Sequence, residues 1–259
     1  MHRIEQLIDM SVWTGHWPFA HLRYGKLELM EKKLRSINVG KAFVAPSEAI
    51  LEKDPMRANM ALSDQIRGDF FSPVHVIDLS YGNWKECMEA AASDGRVAMI
   101  KLLPNYHRYE LDECKLGRLT ELTGKYGMII AIQIRVEDKR LQYPLMQVND
   151  VEIHSITKVV SRFPEQIFIL NNIYMHEIRH IIDSNNVYMD IACIEQQDTL
   201  EKLSKRFTLD RFVFSSHCPF LYPEGSLSKL KGSRLGINEI NKVANQNAGR
   251  IRRISRGQA

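Results

Sequence analysis

Short apolar runs alternate with amphipathic stretches along the whole chain. The runs at 7–13, 41–45, 71–77, 97–103, 128–135, 167–171, 187–192 and 212–215 are rich in Val, Ile and Phe and too short for helices, so they read as strands. Between them, apolar residues recur at helical spacing over 27–37, 55–66, 84–92, 115–126, 151–163, 175–183, 199–207 and 238–251. Local punctuation supports several of these helices. Asp54 stands as a cap ahead of Pro55, which suits a first helical position. Asn83 precedes Trp84 in the same way, and Gly127 follows Tyr126 as a stop. Strands that alternate with helices make βα repeats, and βα repeats make a parallel sheet. No Gly-x-Gly-x-x-Gly and no Walker-type loop follows any strand, which removes the nucleotide-binding open sheets. The expectation is an α/β chain forming a single (β/α)8 TIM-type barrel over residues 1–259.

Composition narrows the setting. No linker or composition shift divides the 259 residues, a length that suits one barrel. With 44% hydrophobic residues the chain can bury a large core without staples. Net charge is +4, too mild to require a polyanionic partner. Arg250, Arg252, Arg253 and Arg256 cluster near the end and read as a solvated, frayed terminus rather than a nucleic-acid patch. Cys87, Cys114, Cys193 and Cys218 form no Cys-x-x-Cys pair, which argues against zinc knuckles, redox dithiols and secreted disulfide scaffolds. The first residues contain no apolar leader, and no stretch approaches a membrane span. The expected setting is the cytoplasm, with a small-molecule substrate as partner, no nucleic acid, no membrane, and a homo-oligomer as an open option.

In a barrel of this kind chemistry sits at the C-terminal ends of the strands and in the loops that follow. The polar residues there are Asp9, Ser11, Lys101, Gln133, Arg135, Asn171, Asp190, Ser216 and His217. His16 and Trp17 follow the first strand and are expected to roof the site. After the fourth strand comes Asn105-Tyr106-His107-Arg108-Tyr109, a loop dense in hydrogen-bonding side chains. Gln133, Arg135 and Glu137 alternate and are expected to share a face, with Asp138 and Arg140 continuing the charge pattern.

These strand ends resemble the amidohydrolase superfamily, in its amidohydrolase-2 branch. Ile8-Asp9-Met10-Ser11-Val12-Trp13-Thr14-Gly15 is similar to that family's Ile-Asp-x-His-x-His-x-Gly, and His16-Trp17-Pro18-Phe19 to its Trp-Pro-Phe turn. Ile100-Lys101-Leu102-Leu103-Pro104 resembles Ile-Lys-Leu-x-Pro. Phe214-Ser215-Ser216-His217-Cys218-Pro219-Phe220 resembles Phe-Gly-Ser-Asp-x-Pro-Phe, and Asn247-Ala248 the closing Asn-Ala. The resemblance implies a barrel that holds a catalytic divalent metal on two strand-one histidines and a strand-eight aspartate. Here Ser11, Trp13 and His217 stand in those places, with Asn171 or Asn172 and Gln133 or Arg135 near the other two histidine positions. Serine and asparagine are poor zinc ligands, an indole nitrogen only donates, and an arginine repels a cation. The expectation is therefore no metal and no cofactor; the alternative is one divalent ion such as zinc at a relocated site on His16, His107 and His217.

Two functions stay open. One is an amidohydrolase-like hydrolase or lyase acting on a small carboxylate-bearing substrate. His217 would move the proton, and Lys101 and Arg135, with Arg140, would hold the anion. His16, Trp17, Tyr106, His107, Gln133, Asn171 and Asp190 would line and orient the substrate. Structural readings compete at each position: a hydrogen-bonded His217, a Lys101 ion pair with Asp9 or Asp190, salt bridges among Arg135, Glu137 and Arg140. The other function is a catalytically inactive barrel that binds a metabolite or a partner protein, because the Trp13 indole would fill the vacated space. His176 and His180, four residues apart, make only a weak zinc pair without a neighbouring glutamate.

Overall fold

The computed structural model describes residues 4–181, 184–255 and 257. Its strands are β1 (Leu7–Thr14), β2 (Val39–Pro46), β3 (Phe71–Val76), β4 (Met99–Leu102), β5 (Ile129–Gln133), β6 (Phe168–Asn171), β7 (Val187–Asp190) and β8 (Phe212–Val213). They pair in chain order, each parallel to the next. Past β8 the chain runs on beside β1. There the Met10 N–H donates to the Phe214 carbonyl at 3.0 Å, His217 N–H to Ser11 at 3.0 Å, and Trp13 N–H to Cys218 at 2.7 Å. These bonds join the last strand to the first, so the sheet closes on itself.

Helices α1 (Leu27–Ser36), α2 (Met56–Gln65), α3 (Trp84–Ser93), α4 (Glu113–Tyr126), α5 (Ile153–Val160) and α6 (Thr199–Ser204) fill the connections. Gly127 ends α4 in the left-handed conformation its position demands. The Asp54 carboxylate accepts the Met56 N–H at 3.0 Å at the start of α2, whereas Asn83 makes no side-chain cap on α3. The helix expected at 175–183 is only a 3-10 turn, Ile178–His180, because Glu177 is drawn inward to other partners; residues 182–183 lie outside the described residues. A helix α7 (Pro223–Lys231) went unforeseen, and the last one divides into α8 (Ile237–Asn241), a π turn (Lys242–Gln246) and α9 (Asn247–Ser255). The terminal arginines are not a frayed tail: Ala248 and Ile251 are buried, Arg250 donates to the Asp210 carbonyl at 2.5 Å, and Arg252 lies over the Phe43 ring. Arg256 lies outside the described residues.

Two core layers follow from strand alternation. Outward residues such as Val44, Ile100, Leu102, Ile130, Ile132 and Leu170 pack with Met30, Leu62, Met88, Leu116 and Ile156 of the helices. Inward residues Met99, Ala131, Ile169, Tyr188 and Val213 fill the barrel. Two residues further along each of those strands, on the same face, stand Lys101, Gln133, Asn171, Asp190 and Ser215. An apolar barrel is thus topped by a polar layer, and every member is at most 1% exposed.

Candidate functional site

Lys101 lies at the centre of that layer. Its amine donates to the Ser11 hydroxyl at 2.7 Å and the Gln133 carbonyl at 3.2 Å, and stands 4.3 Å from the centre of the Trp13 ring. The expected ion pair is not formed: among the described residues no carboxylate comes within 4.0 Å of it. Burial pushes the amine down to about 7, against the opposing pull of Asp190 and Asp9. Asp9 accepts the Ser216 N–H at 3.0 Å and the Ser11 N–H at 3.3 Å through one oxygen. Burial lifts its carboxyl to about 7. Asp190 is also raised by burial, and it takes the Asn171 amide at 3.0 Å and the backbone N–H groups of Asn172 and Ala192 at 3.1 Å. Asp190 therefore organises the ends of β6 and β7 rather than orienting His217.

His217 has a left-handed backbone, φ 54°, and both ring nitrogens are engaged. Trp13 donates its indole N–H to Nδ1 at 3.2 Å, and Nε2 donates to the Val136 carbonyl at 2.7 Å. With Nδ1 receiving, Nε2 must carry the hydrogen, so one neutral tautomer satisfies both bonds. Burial, then the Lys101 charge, pushes this imidazole down to about 3. Phe220 stacks on its outer face at 5.3 Å. Trp17, 3% exposed, continues the cover: it meets Phe220 at 5.2 Å and Phe19 at 5.3 Å, and Phe19 stacks on Tyr143 at 5.4 Å.

The remaining expected residues disperse. Arg135 is 1% exposed and does not face a ligand. Its guanidinium binds Glu177 through two bonds, 2.5 and 3.1 Å, and Asp150 at 2.9 Å, while stacking 3.7 Å over Tyr174. Two carboxylates outweigh its single charge, so nothing is left for a substrate anion. Arg140 is an exposed partner of Asp138 at 2.8 Å, and the expected bridges among Arg135, Glu137 and Arg140 do not form. The alternation that was to align Gln133, Arg135 and Glu137 stops where β5 stops, at Gln133. His107 is a bolt, its Nε2 set against the Ala49 carbonyl at 3.0 Å. Tyr106 packs edge-on to Trp17 at 6.4 Å. His16 is exposed, and its backbone N–H reaches Glu48 at 2.7 Å. Glu177 and Asp150 were missed because their role depends on contacts 42 and 15 residues away from Arg135.

No family model matches the chain, and no curated protein matches it. Solved structures do. A 2,6-dihydroxybenzoate decarboxylase from Rhizobium superposes with a TM-score of 0.72 at 11% identity, over 96% of this chain and 99% of that one. A proposed amidohydrolase from Staphylococcus aureus gives 0.69 at 11% identity, over 95% and 98%. The chain shares its (β/α)8 barrel fold with these proteins. A dihydroxybenzoic acid decarboxylase from Polaromonas sp. JS666, at TM-score 0.73 and 12% identity over 96% and 97%, was crystallised with manganese and an inhibitor.

That last structure corrects the expectation of no cofactor, since a neighbour of the same fold has manganese bound. The side chains of the present chain do not fit such an ion at the strand ends. Lys101 puts an amine beside Ser11 and Trp13, and His217 has no lone pair left over. Among the described residues no three His, Cys, Asp or Glu groups are arranged to hold a metal. The relocated zinc site fails with them: His107 and His217 are turned to the Ala49 and Val136 carbonyls, and the three histidines form no donor cluster among the described residues. No helix among the described residues is long and apolar enough to cross a membrane.

Proposed function

We propose that this amidohydrolase-type barrel works by binding a small carboxylate-bearing molecule and performs no turnover at the strand ends. The carrying observation is the closure of the barrel axis by Trp13, whose indole lies against the Lys101 amine and is hydrogen-bonded to His217. All three side chains are at most 1% exposed. A histidine held neutral with both nitrogens occupied cannot exchange protons with a substrate near neutral pH. Support for a carboxylate comes from the neighbours, which include decarboxylases of 2,6-dihydroxybenzoate and 5-carboxyvanillate.

A second reading keeps an observation of its own. Lys101 and Asp9 both titrate near neutrality in one buried layer, and displaced titrations of this kind gather at catalytic centres. On that reading the chain is a lyase or hydrolase for the same class of substrate, with Lys101 moving the proton once the aromatic cover opens. Thermal melts against a panel of aromatic and aliphatic carboxylates, each followed by chromatographic recovery of the compound, separate the two. Stabilisation with full recovery is the expected result. Product formation that disappears in Lys101→Met selects the second reading.

A further inference from the structure

The geometry points to a closed site for one divalent transition-metal ion such as zinc, held by Asp78, His107 and Tyr109, off the barrel axis. Asp78 follows β3, and His107 and Tyr109 lie in the turn after β4. All three are at most 9% exposed. The turn is fixed by its own backbone, the His107 N–H donating to Leu103 and the Tyr109 N–H to Pro104, both at 3.0 Å.

The pattern of donors and acceptors selects a cation. The Ala49 carbonyl can only accept, so His107 Nε2, 3.0 Å away, must carry the hydrogen, and Nδ1 keeps its lone pair. That Nδ1 has no hydrogen-bond partner among the described residues and stands 4.0 Å from Asp78 Oδ1. Two acceptors thus face each other across a gap too long for a direct hydrogen bond. An ion such as zinc holds nitrogen and oxygen donors at about 2.0–2.2 Å, so two donors of one ion stand up to roughly 4.2 Å apart, and the gap admits one. The Tyr109 hydroxyl is likewise buried without a partner, and the Asp78 charge, after burial, helps push its phenol up. It supplies a third donor, and water completes the set.

Local charge agrees. Asp78 forms no ion pair with a lysine or arginine among the described residues, nor do Asp54 and Glu86. The charges of all three reach Cys87, whose thiol is pushed up to about 11, first by burial and then by these carboxylates. Lys115, 5.8 Å over the Tyr109 ring, is itself paired with Asp112. A buried carboxylate is ordinarily paired or bound to a metal. The outer bonds are also those of a metal site: a ligating histidine gives its other N–H to a carbonyl, and a ligating carboxylate is hydrogen-bonded in turn. Here Ala49 plays the first part, and Ser80 the second, giving Asp78 Oδ1 its N–H at 2.8 Å and its hydroxyl at 2.7 Å. An imidazole in the set favours zinc over magnesium. Enclosed in this way, the ion is structural: it joins the connections after β2, β3 and β4 and takes no part in chemistry at the axis.

The test uses untagged, chelator-treated protein with zinc chloride or magnesium chloride, read by equilibrium dialysis with elemental analysis and by thermal shift. Wild-type protein is expected to retain one equivalent of zinc, to melt higher with it, and to ignore magnesium. Asp78→Asn and His107→Gln are each expected to weaken zinc at least tenfold. His154→Gln/His180→Gln, which removes two histidines elsewhere on the chain, is expected to bind as wild type. Nitrogen-resolved NMR of the wild type needs no variant: zinc is expected to move His107 Nδ1 and to leave the Nε2 proton in place. No retained zinc, an equal response to magnesium, zinc held equally by Asp78→Asn and His107→Gln, or an unmoved His107 Nδ1 would each overturn the site.

Discussion

Replacing Trp13 with Ala removes the residue on which the closed axis depends. The side chain is fully buried, donates to His217 at 3.2 Å, supports the Lys101 amine at 4.3 Å and meets Phe220 edge-on at 6.2 Å. Truncating a buried aromatic costs about 3–5 kcal/mol. Leaving His217 Nδ1 without its donor adds about 1 kcal/mol. The lost cation–π contact adds about 1 kcal/mol, less than its full worth because the amine is only partly charged near neutral pH. A total of about 5–7 kcal/mol corresponds to a melting temperature lower by roughly 10–28 °C in a protein of this size. The cavity left behind is of the order that holds a single aromatic ring. Added indole is therefore expected to recover part of the loss, and benzothiophene, which has the ring but no N–H, to recover less. Circular-dichroism melts and urea titrations measure both effects. A loss under about 1 kcal/mol, or no response to indole, would show that Trp13 does not close the axis.

Three other outcomes follow from the buried charges. Lys101 titrates lower in the folded chain than its ordinary 10.5. Between about 7 and 10.5 the unfolded state binds the extra proton, so this group's contribution raises stability as pH rises through that window. The urea midpoint difference between pH 7 and 9 should accordingly shrink in Lys101→Met relative to wild type; an unchanged difference would contradict the buried amine. Arg135→Ala should cost about 3 kcal/mol, because it strands the largely buried Glu177 carboxylate, and Arg135→Lys should not restore the two-bonded geometry; denaturant melts in which either variant matches wild type would refute this. The His217 imidazole should remain neutral from pH 5 to 8, with fixed nitrogen shifts showing an Nε2 proton; a titration near 6.5 in nitrogen-resolved NMR would reverse the assignment.

Much of the fold was legible because strand periodicity is local. The run at 167–171 became Phe168–Asn171, and the run at 7–13 became Leu7–Thr14. The same alternation places Lys101, Gln133, Asn171 and Asp190 in one layer. What failed was decided at a distance. Nothing near Arg135 announces Glu177, which takes its charge and also pulls 175–181 out of a regular helix. Helix α7 was hidden by Gly225, Ser226 and Ser228, which dilute its apolar pair Leu227 and Leu230.

With its axis closed, the barrel is expected to leave a bound carboxylate chemically intact. The most direct measurement is proton NMR of a stabilising carboxylate held for a day with an equal concentration of the protein. Unchanged ligand resonances, broadened only by binding, are expected. Conversion of the ligand, lost when Lys101 is replaced by Met, would contradict it.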